Sequence, residues 1–503
     1  MITKTIEELL EYAKSHLYME EIDRIYLRNL LLRKLKQTAP YEGEIDKEYI
    51  HSLLVPDVLL NDLRTFVIEN NLSENPELFI TEIMGDLTPM PSRTVEIFNN
   101  LYKTNPTKAC DFLYDLSIKN NYIQKTAVDK NLYWKAQFPN NFLEITINLS
   151  KPEKNNKDIK KLLSKVDTSY PKCLLCKENL GYEGRSNHPA RENIRIIPLK
   201  LNGEDFFMQY SPYVYYDEHC IVVADKHDFM KMGKEQFKKL SDFVDIFPNF
   251  MIGSNSELPI VGGSILNHEH FQGGRHRMPV MSAKDRYIFT SEKFKECKVS
   301  YLDWYNSVFV VKSKNKEQLI ECMSYIYEKY CAYDDKEIDL IARTDAKHST
   351  VTPVFEKFGE EYKAYMILRN NRCNEEHEDG IFHAHKEFHN IKKEGIGLIE
   401  AMGLFILPAR LKRQCSEIEE LLVNESLDIN EYIKNHEGLE VHLDMINKLI
   451  KQYGRQNSLE QAGEEVKQYI NETCKSILEC TAIFKNDDLG QTHLKKFVEY
   501  LDL

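Results

Sequence analysis

Apolar residues recur every three or four positions in the first part of the chain, which is the spacing of an α-helix with one buried face. Thr5 and Glu8 have the spacing of a capping box and predict a helix start there. Five apolar residues predict the first helix: Ile6, Leu9, Leu10, Ala13 and Leu17. Three more helices are predicted over 22–35, from a start at Ser73 with Pro76, and around 112–116. We therefore expect residues 1–140 to form a helical accessory domain.

The pattern changes to alternation of apolar and polar residues at 143–149, where β-branched residues are frequent, and this predicts a strand. A hairpin is expected from strands at 194–199 and 206–210, because Asn202-Gly203 between them is typical of a tight turn. Three further features complete a first module over 141–290: a charged linker around 154–161, a buried strand at 220–224 and a helix at about 234–244.

Residues 291–411 repeat the same order of elements. The expected elements are a strand at 308–311, a helix at 317–330, and strands at 351–355 and 362–368 paired around Gly359. Both modules finish on a His-x-His sequence, which suggests a duplicated α+β module. Helical spacing returns over 412–503, where we expect a helical C-terminal region and assign no chemistry.

Composition places the chain among folded globular proteins and limits its partners. Of 503 residues, 42% are hydrophobic and 11% aromatic, and the length allows roughly three domains. Asp and Glu total 79 against 66 Lys and Arg, so the net charge is −13. An acidic surface argues against nucleic acid and anionic membranes as partners, while a local basic pocket for a phosphorylated small molecule is compatible with it.

The cysteines and the lack of targeting signals predict a cytoplasmic protein. The first residues lack the apolar core of a signal peptide, and the sequence contains no run of about eighteen apolar residues. The eleven cysteines are an odd number and most stand alone, so we expect reduced thiols rather than a disulfide framework.

The chemistry is concentrated at 262–274, where two histidines and an amide lie between two pairs of glycines. If this stretch is extended, His268, His270 and Gln272 project from one face of a strand, about 6.6 Å apart. That arrangement suits an imidazole nucleophile beside a hydrogen-bond donor, with glycines that let a phosphate approach the backbone. It also suits a pair of metal ligands, or two histidines on a half-buried strand.

Cys173 and Cys176 have the spacing of half a zinc site, because thiolates and imidazoles complete Zn²⁺ coordination tetrahedrally. Two more ligands are needed. By their order along the chain, His227 and His268 are the best candidates, with His219 in reserve. If His268 is a ligand, the histidine two residues further on is left to act as the nucleophile. The alternative is two ordinary buried thiols.

Further candidate binding residues lie outside this stretch. His383 and His385 could bind a metal or hydrogen-bond a substrate, or belong to a histidine-rich surface loop. Two short basic runs are candidate phosphate clamps, because guanidinium pairs with phosphate in a bidentate fashion, or are only solvated. Their residues are Arg275, Arg277, Arg369, Asn370 and Arg372. Glu400 follows a glycine-rich turn and could accept hydrogen bonds from sugar hydroxyls, or be a helix cap or surface charge.

Four separated motifs occur in one order along the chain: YPKCLLC at 170–176, YSPYVYYDEHC at 210–220, HEHFQGG at 268–274 and GIFHAH at 380–385. Together they resemble the second, bacterial class of galactose-1-phosphate uridylyltransferase, also called UDP-glucose–hexose-1-phosphate uridylyltransferase. The likeness covers about 141–411, and the helical N-terminal extension also fits that class. The better-studied first class belongs to the histidine-triad superfold, so the resemblance implies duplicated histidine-triad-like antiparallel sheet modules.

The resemblance assigns roles residue by residue. It implies that His270 attacks the α-phosphorus of UDP-glucose and that Gln272 hydrogen-bonds the phosphoryl oxygens. It implies zinc at four ligands: Cys173, Cys176, His227 and His268. His383 and His385 correspond to a His-x-His near a second metal and the sugar phosphate, and Glu400 lies near the sugar-binding glutamate. No organic cofactor is implied.

Two residues depart from the first-class pattern: Glu269 replaces the proline between the histidines, and Phe271 replaces a small residue. The implied mechanism is double displacement. His270 attacks, glucose 1-phosphate leaves, and galactose 1-phosphate then attacks the uridylyl-imidazole to give UDP-galactose. The expected partners are therefore UDP-glucose, UDP-galactose and hexose 1-phosphates, and the expected assembly is a homodimer.

Two other functions stay as alternatives. A nucleotidyl phosphorylase or hydrolase of the same superfold would release a nucleotide to phosphate or water and ignore hexose phosphates. A zinc-stabilised binding module would use His270 structurally, so its replacement would cost the fold as well as the activity. Gln272 and its glycines argue against the binding module, because a structural metal site does not need them.

Overall fold

In a computed structural model, residues 2–150, 170–185 and 187–503 are described, and the expected α+β fold with helical N- and C-terminal regions is confirmed. The charged linker expected around 154–161 lies outside the described residues. The chain divides into two compact units. The first consists of Met1–Lys130, Lys154–Asp228 and His268–Arg275, and the second of Asn131–Glu153, Phe229–Asn267 and His276–Leu503. The four domains expected from sequence stay a prediction.

Helices occupy both ends of the chain and separate groups of strands. In chain order they are α1 (Ile2–His16), α2 (Arg24–Lys34), α3 (Lys47–Ser52), α4 (Asp57–Glu69), α5 (Pro76–Leu87), α6 (Pro91–Tyr102), α7 (Pro106–Lys119), α8 (Lys125–Val128), α9 (Lys234–Ile246), α10 (Lys316–Tyr330), α11 (Leu398–Ala401), α12 (Arg410–Val423), α13 (Ile429–Asn435), α14 (Leu443–Tyr453), α15 (Leu459–Thr481) and α16 (Asp488–Leu501).

The described strands are three to ten residues long. In chain order they are β1 (Leu132–Gln137), β2 (Phe142–Asn148), β3 (Ile197–Leu201), β4 (Glu204–Tyr210), β5 (Cys220–Ala224), β6 (Met251–Gly253), β7 (His270–Gly274), β8 (Asp285–Thr290), β9 (Lys298–Leu302), β10 (Val308–Ser313), β11 (Ser349–Phe358), β12 (Glu361–Asn370) and β13 (Leu404–Pro408).

Two helices of the first unit, α5 and α7, begin at an asparagine cap followed by a proline. The side chain of Asn75 accepts a hydrogen bond from the backbone N–H of Glu77, and proline occupies the first position of α5, where a missing N–H costs nothing. Asn105 caps α7 in the same way. The capping box expected at Thr5 and Glu8 is wrong, because α1 already begins at Ile2 and both residues lie inside it.

The first unit contains an antiparallel sheet in the order β3-β4-β5-β7. The predicted hairpin is confirmed: Asn202 and Gly203 adopt φ of 47° and 77°, as a tight two-residue turn between β3 and β4 requires. The central strand β5 is almost entirely buried. Its far edge pairs with β7, which carries the central histidine motif.

The second unit contains an antiparallel sheet in the order β6-β11-β12-β10-β9-β8. The predicted pair around Gly359 is confirmed, with β11 and β12 in register from Ser349 opposite Asn370 to Phe358 opposite Glu361. Helices α9 and α10 pack on β11, so eight of its ten residues are buried.

A smaller sheet of the second unit has the order β1-β2-β13, with β13 parallel to β2. The strand predicted at 143–149 is β2, whereas β13 was not predicted. Its partner lies more than 250 residues earlier in the chain, and no local pattern reports such a pairing. The predicted helical C-terminal region is confirmed by α12 to α16, which begin after β13. Among the described residues, no helix is long and apolar enough to cross a membrane.

Arg195 fastens the end of α5 to the segment that leads into β3. Its buried guanidinium donates to the backbone carbonyls of Thr88 and Pro89 and to that of Glu192. Gly85 permits the approach, since a Cβ there would lie 2.5 Å from the Cβ of Glu192.

Burial, with repulsion from Glu82, raises the pKa of Glu192 to about 7 from an ordinary value of 4.5.

We predict that Glu192→Gln stabilises the protein at pH 8 and leaves stability unchanged near pH 4. The folded-state pKa lies above the unfolded value, so the contribution of Glu192 is fully present below pH 4.5 and is lost as pH rises through about 7. Allowing for solvent screening at this half-buried group, we expect a gain of about 1–2 kcal/mol in the free energy of unfolding at pH 8. Urea unfolding of both proteins at the two pH values measures it. Equal stability at pH 8 would contradict the prediction.

Candidate active site

The strand β7 presents the central motif on two faces. It pairs antiparallel with β5, so that His270 lies opposite Val223 and Gln272 opposite Ile221. The ring of Phe271 points to the other face and stacks on Phe206, with ring centroids 5.6 Å apart. A bulky residue is thus accommodated where the first class has a small one, and His270 and Gln272 share the face opposite to it.

The central stretch forms a strand only from His270 to Gly274. His268 lies before the strand. Backbone bonds anchor the residue between them: the N–H of Glu269 donates to the carbonyl of Asp228 at 2.7 Å, and its carbonyl accepts from the N–H of Ala224 at 3.0 Å. A proline has no N–H for the first of these bonds, so Glu269 extends the pairing one residue beyond the strand.

His270 is buried and its ring orientation is fixed. Its Nδ1 lies 2.8 Å from the carbonyl oxygen of His268, which can only accept, so the ring proton is on Nδ1 and the lone pair is on Nε2. Burial lowers the pKa of His270, against a smaller raising effect of this hydrogen bond. The ring is therefore a neutral imidazole at pH 7, which is the form in which a histidine acts as a nucleophile.

Gln272 receives a hydrogen bond from a residue that lies 53 positions earlier. The Nε2 of His219 is 3.0 Å from the Oε1 of Gln272. His219 is buried, and burial lowers the pKa of its ring to about 4, so it is neutral. The sequence suggested His219 only as a reserve metal ligand. The structure instead places its ring beside the amide of Gln272.

The four predicted metal ligands come together in the first unit. The ligand atoms of Cys173, Cys176, His227 and His268 all lie within 4.8 Å of one another. The Sγ of Cys173 is 3.3 Å from Nδ1 of His268, and that of Cys176 is 3.1 Å from Nδ1 of His227. Bonds of about 2.3 Å to sulfur and 2.0 Å to nitrogen put neighbouring tetrahedral ligand atoms roughly 3.3–3.8 Å apart. The group therefore has the composition and dimensions of a metal site.

The surroundings orient these ligands. The Nε2–H of His268 donates to the carbonyl of Ala224 at 2.8 Å, which leaves its Nδ1 facing the thiols of Cys173 and Cys176. The side chain of Asn179 donates to the carbonyls of both Cys173 and Cys176, at 2.9 and 2.8 Å. The Nε2 of His188 lies 2.6 Å from the Oδ1 of Asn179 and holds that side chain in place. Asn179 and His188 were not predicted, because neither has a metal-ligand spacing.

The two arginines that follow β7 have separate contacts. Arg275 forms ion pairs with Glu218 and Asp111 in the first unit, and its Nε lies 2.6 Å from the Glu218 carboxylate. Arg277 is exposed in the second unit, and its Nη2 donates to the carbonyl of Met281 at 2.9 Å. A contact of either residue with phosphate stays a prediction.

The second unit brings Arg369, His383 and Glu400 into one buried region. The Nη2 of Arg369 donates to the carbonyl of Ile396 at 2.6 Å, and the N–H of Ile396 donates to Nε2 of His383 at 3.1 Å. His383 therefore carries its proton on Nδ1, and burial, reinforced by Arg369, lowers its pKa to about 4. Burial lowers the pKa of Arg369 to about 10, against the opposing effect of Glu400.

Polar atoms in this region lack partners in the described part of the chain. They are Nε and Nη1 of Arg369 and Nδ1 of His383. Glu400 is paired: Nζ of Lys392 lies 3.0 Å from its Oε1 and also donates to the carbonyl of Ile406. Lys392 was not predicted, and only the fold brings it to Glu400.

The remaining predicted residues of the second unit, Asn370, Arg372 and His385, contact neighbouring protein groups. The amide of Asn370 donates to the carbonyl of Ile341 and accepts from the backbone N–H of Arg372 at 2.9 Å. The guanidinium of Arg372 pairs with Asp339 at 2.6 Å. The ring of His385 donates to the carbonyl of Ile381 at 3.2 Å and stacks on His377, with centroids 4.0 Å apart. Their contacts with a substrate stay predictions.

Comparison with known proteins agrees with these motifs. The N-terminal domain model of galactose-1-phosphate uridyl transferase matches residues 19–228, and the C-terminal domain model matches residues 241–437. A galactose-1-phosphate uridylyltransferase of Caldanaerobacter subterraneus subsp. tengcongensis is 43% identical over 98% of this chain and 97% of its own. One of Clostridium acetobutylicum is 39% identical over the whole of both chains.

A crystal structure of yeast Ap4A phosphorylase Apa2 aligns with 67% of this chain and 92% of its own, at 11% identity and a TM-score of 0.29, which is too low to carry an argument. The sequence relationships are close and span the full length. The chain therefore belongs to the galactose-1-phosphate uridylyltransferase family.

Proposed function

We propose that this chain transfers UMP from UDP-glucose to galactose 1-phosphate through a covalent uridylyl-histidine on His270. Membership of the family supports the overall reaction, uridylyl transfer in galactose metabolism (EC 2.7.7.12). The observation that carries the covalent route is the hydrogen bond from Nδ1 of His270 to the carbonyl of His268, at 2.8 Å. It directs the lone pair of a neutral ring to Nε2.

In the first half-reaction Nε2 of His270 attacks the α-phosphorus of UDP-glucose. The P–N bond forms as the bond to the departing oxygen breaks, and glucose 1-phosphate leaves. The imidazole becomes positively charged, and its Nδ1–H then binds the His268 carbonyl more strongly, because the donor is charged. The leaving group is an acidic phosphate, so no strong general acid is needed.

In the second half-reaction an oxygen of the galactose 1-phosphate phosphoryl group attacks the same phosphorus. The P–N bond breaks, UDP-galactose leaves, and His270 returns to the neutral imidazole. Donor and acceptor leaving groups are nearly identical, so one sugar-phosphate site serves both half-reactions. The nucleophile is regenerated with its proton still on Nδ1, and no external proton donor is consumed.

We propose that Gln272 donates its amide N–H₂ to the non-bridging oxygens of the transferred phosphoryl group, where charge gathers in the transition state. The contact of its Oε1 with His219 supports this orientation, since the amide nitrogen is the remaining donor. We further propose that Arg369, His383 and Glu400 bind the hexose 1-phosphate. The unpartnered donors of Arg369 and His383 support a role in anion binding.

Contacts of the other predicted residues with substrate are secondary proposals. They are Arg275, Arg277, Asn370, Arg372 and His385. Each has a protein partner in the structure, so a role with phosphate requires either a shared hydrogen bond or an exchange of partners. Of these five residues, Arg277 is exposed, and binding phosphate would require it to give up, among its contacts in the described part of the chain, only its hydrogen bond to the carbonyl of Met281.

We propose that the metal held by Cys173, Cys176, His227 and His268 is zinc. Two thiolates and two imidazoles are a donor set that suits Zn²⁺, and four protein ligands make a closed, structural site. When bound, the ion fixes the ring of His268. Because the carbonyl of the same residue holds His270, the metal would maintain the orientation of the nucleophile without contacting the substrate.

We also propose a cytoplasmic location and a homodimeric assembly. All eleven cysteines are free thiols, including Cys173 and Cys176 with sulfur atoms 3.5 Å apart, which suits a reducing compartment. The homodimer follows from the family resemblance, and the mass of the native protein in solution tests it.

We predict that wild-type protein incubated with UDP-glucose labelled in the α-phosphate, without acceptor, retains acid-labile label. Phosphoramidates hydrolyse in acid, whereas phosphate esters are more stable there. His270→Asn removes the nucleophilic nitrogen, so the variant should retain no label. Addition of galactose 1-phosphate to labelled wild type should release the label as UDP-galactose.

The control is His436→Asn, because His436 is a half-buried histidine of the C-terminal helical region that bonds only locally. It should label like wild type. If folded, metal-containing wild type retains no label, the proposed covalent route is wrong. Label discharged equally by inorganic phosphate would favour a phosphorylase, and loss of the fold in His270→Asn would favour a binding module.

We predict that Cys173→Ser and Cys176→Ser each lose most of the bound zinc, because a serine hydroxyl is a poor ligand for this ion. Label transfer to His270 should fall by on the order of tenfold or more, since His268 loses its anchor. The measurement is zinc per chain by mass spectrometry, with thermal unfolding alongside. Cys373→Ser, at an exposed cysteine, is the matched control and should keep wild-type zinc. Equal zinc in all variants would contradict this ligand set.

A further inference from the structure

His219 lies at the entry to β5, at the end of a turn rich in aromatic residues. Its backbone N–H donates to the carbonyl of Tyr216 at 3.1 Å, and its carbonyl accepts from the N–H of Ser211 at 2.8 Å. The next residue, Cys220, pairs with Gly273 of β7. The strand pairing therefore brings His219 beside Gln272, although the two are 53 residues apart in sequence.

Aromatic neighbours fix the plane of the His219 ring. Tyr215 stacks on it at 5.2 Å between ring centroids and an angle of 25°, and Tyr216 lies at 4.6 Å and 42°. The hydroxyl of Tyr216 donates to the carbonyl of Gly273 at 3.1 Å. Gly274 makes this packing possible, because a Cβ there would lie 2.7 Å from the Tyr216 ring. The ring is thus held against β7 from two sides.

The tautomer of His219 follows from its two nitrogens. Nε2 faces the Gln272 amide, and Nδ1 is buried without a partner in the described part of the chain. A proton on Nδ1 would leave a buried N–H unpaired, which is more costly than an unpaired lone pair on the same atom. The proton is therefore on Nε2 and is donated to Oε1 of Gln272. Its neutral state, favoured by burial, is consistent with this assignment.

The orientation of the Gln272 amide is then determined. With Oε1 accepting from His219, the amide nitrogen and its two hydrogens must point away from the ring. A glutamine without this partner could rotate by 180° about its last side-chain bond at little cost, and would then present an acceptor oxygen to a phosphoryl oxygen. Two acceptors facing each other repel, so the flipped amide would oppose the transition state.

We propose that His219 is a positioning residue that holds the Gln272 amide with its N–H₂ toward the transferred phosphoryl group. This inference rests on the proposed function, since it assumes that Gln272 contacts the phosphoryl oxygens. His219 touches no substrate atom in this proposal. It acts on the reaction rate only through Gln272.

The test compares His219→Leu with His219→Gln. Leucine removes the donor and keeps an apolar side chain in the aromatic turn, whereas the amide nitrogen of glutamine lies at about the reach of Nε2 and can donate to Gln272. The readout is the single-turnover rate of label transfer to His270 at saturating UDP-glucose, together with the dissociation constant of UDP-glucose. We expect His219→Leu to slow transfer by on the order of tenfold to a hundredfold with little change in binding, and His219→Gln to recover most of the rate.

A double-mutant cycle separates positioning from general disruption. In a Gln272→Ala background His219→Leu should have no further effect on the rate, because its target is gone. Thermal unfolding and zinc content, measured on every variant, should match wild type. If His219→Leu slows transfer equally in both backgrounds, or transfers at the wild-type rate, the positioning role is wrong. If wild type itself transfers no label, the covalent route proposed above is wrong. This outcome differs from failure of the positioning role, in which wild type still transfers label.

Discussion

The hydrogen bond from the His270 ring to the carbonyl of His268 is the contact on which the candidate site depends. It assigns the ring proton to Nδ1 and so places the lone pair on Nε2. The carbonyl is held in place because the ring of the same residue faces two thiols and donates to Ala224. One residue thus joins the candidate metal group to the proposed nucleophile. A shift of that ring would be transmitted to His270 through a single, stiff peptide unit.

The local structure accommodates the two residues that differ from the first-class pattern, Glu269 and Phe271. Glu269 supplies a backbone N–H that proline lacks, and that N–H bonds to Asp228. Phe271 turns away from the face that carries His270 and Gln272, and it stacks on Phe206 in the core of the first unit. Neither change alters which side chains share a face with His270. In this chain Glu269 anchors the backbone between the two histidines through its hydrogen bonds to Asp228 and Ala224.

Local patterns in the sequence predicted the elements whose causes are local. The Asn202-Gly203 turn, the β11–β12 pair and the cap region of α5 each follow from residues close together in the chain. The grouping of the four candidate ligands was also predicted, because Cys173 and Cys176 are the one Cys-x-x-Cys pair of the sequence and the order of the histidines constrains the choice. The conformation of His268 was not, because its place before β7 results from bonds to Ala224, 44 residues away.

Contacts made by the tertiary fold were beyond such patterns. Lys392 meets Glu400 in a buried pair, β13 adds to β2 in parallel, and His219 reaches Gln272 across two strands. In the sequence His219 resembles any other histidine beside a cysteine, and order along the chain made it a reserve metal ligand. Only the register of β5 with β7 shows that its ring faces an amide instead. Residues that orient other side chains follow no characteristic spacing in the sequence. They are therefore the part of a site that sequence patterns do not predict.

The histidines around β7 serve the proposed chemistry by being neutral. Burial lowers the pKa of His219 to about 4 and that of His270 below its usual value, so each contributes an oriented N–H dipole rather than a charge. A fixed positive charge would bind the phosphoryl groups of substrate, intermediate and product alike, and uniform binding does not accelerate the chemical step. In the proposed mechanism a positive charge appears on His270 only after it attacks, when the His268 carbonyl is already in place to receive it. The site thus favours the charge distribution of the reacting state over that of the resting state.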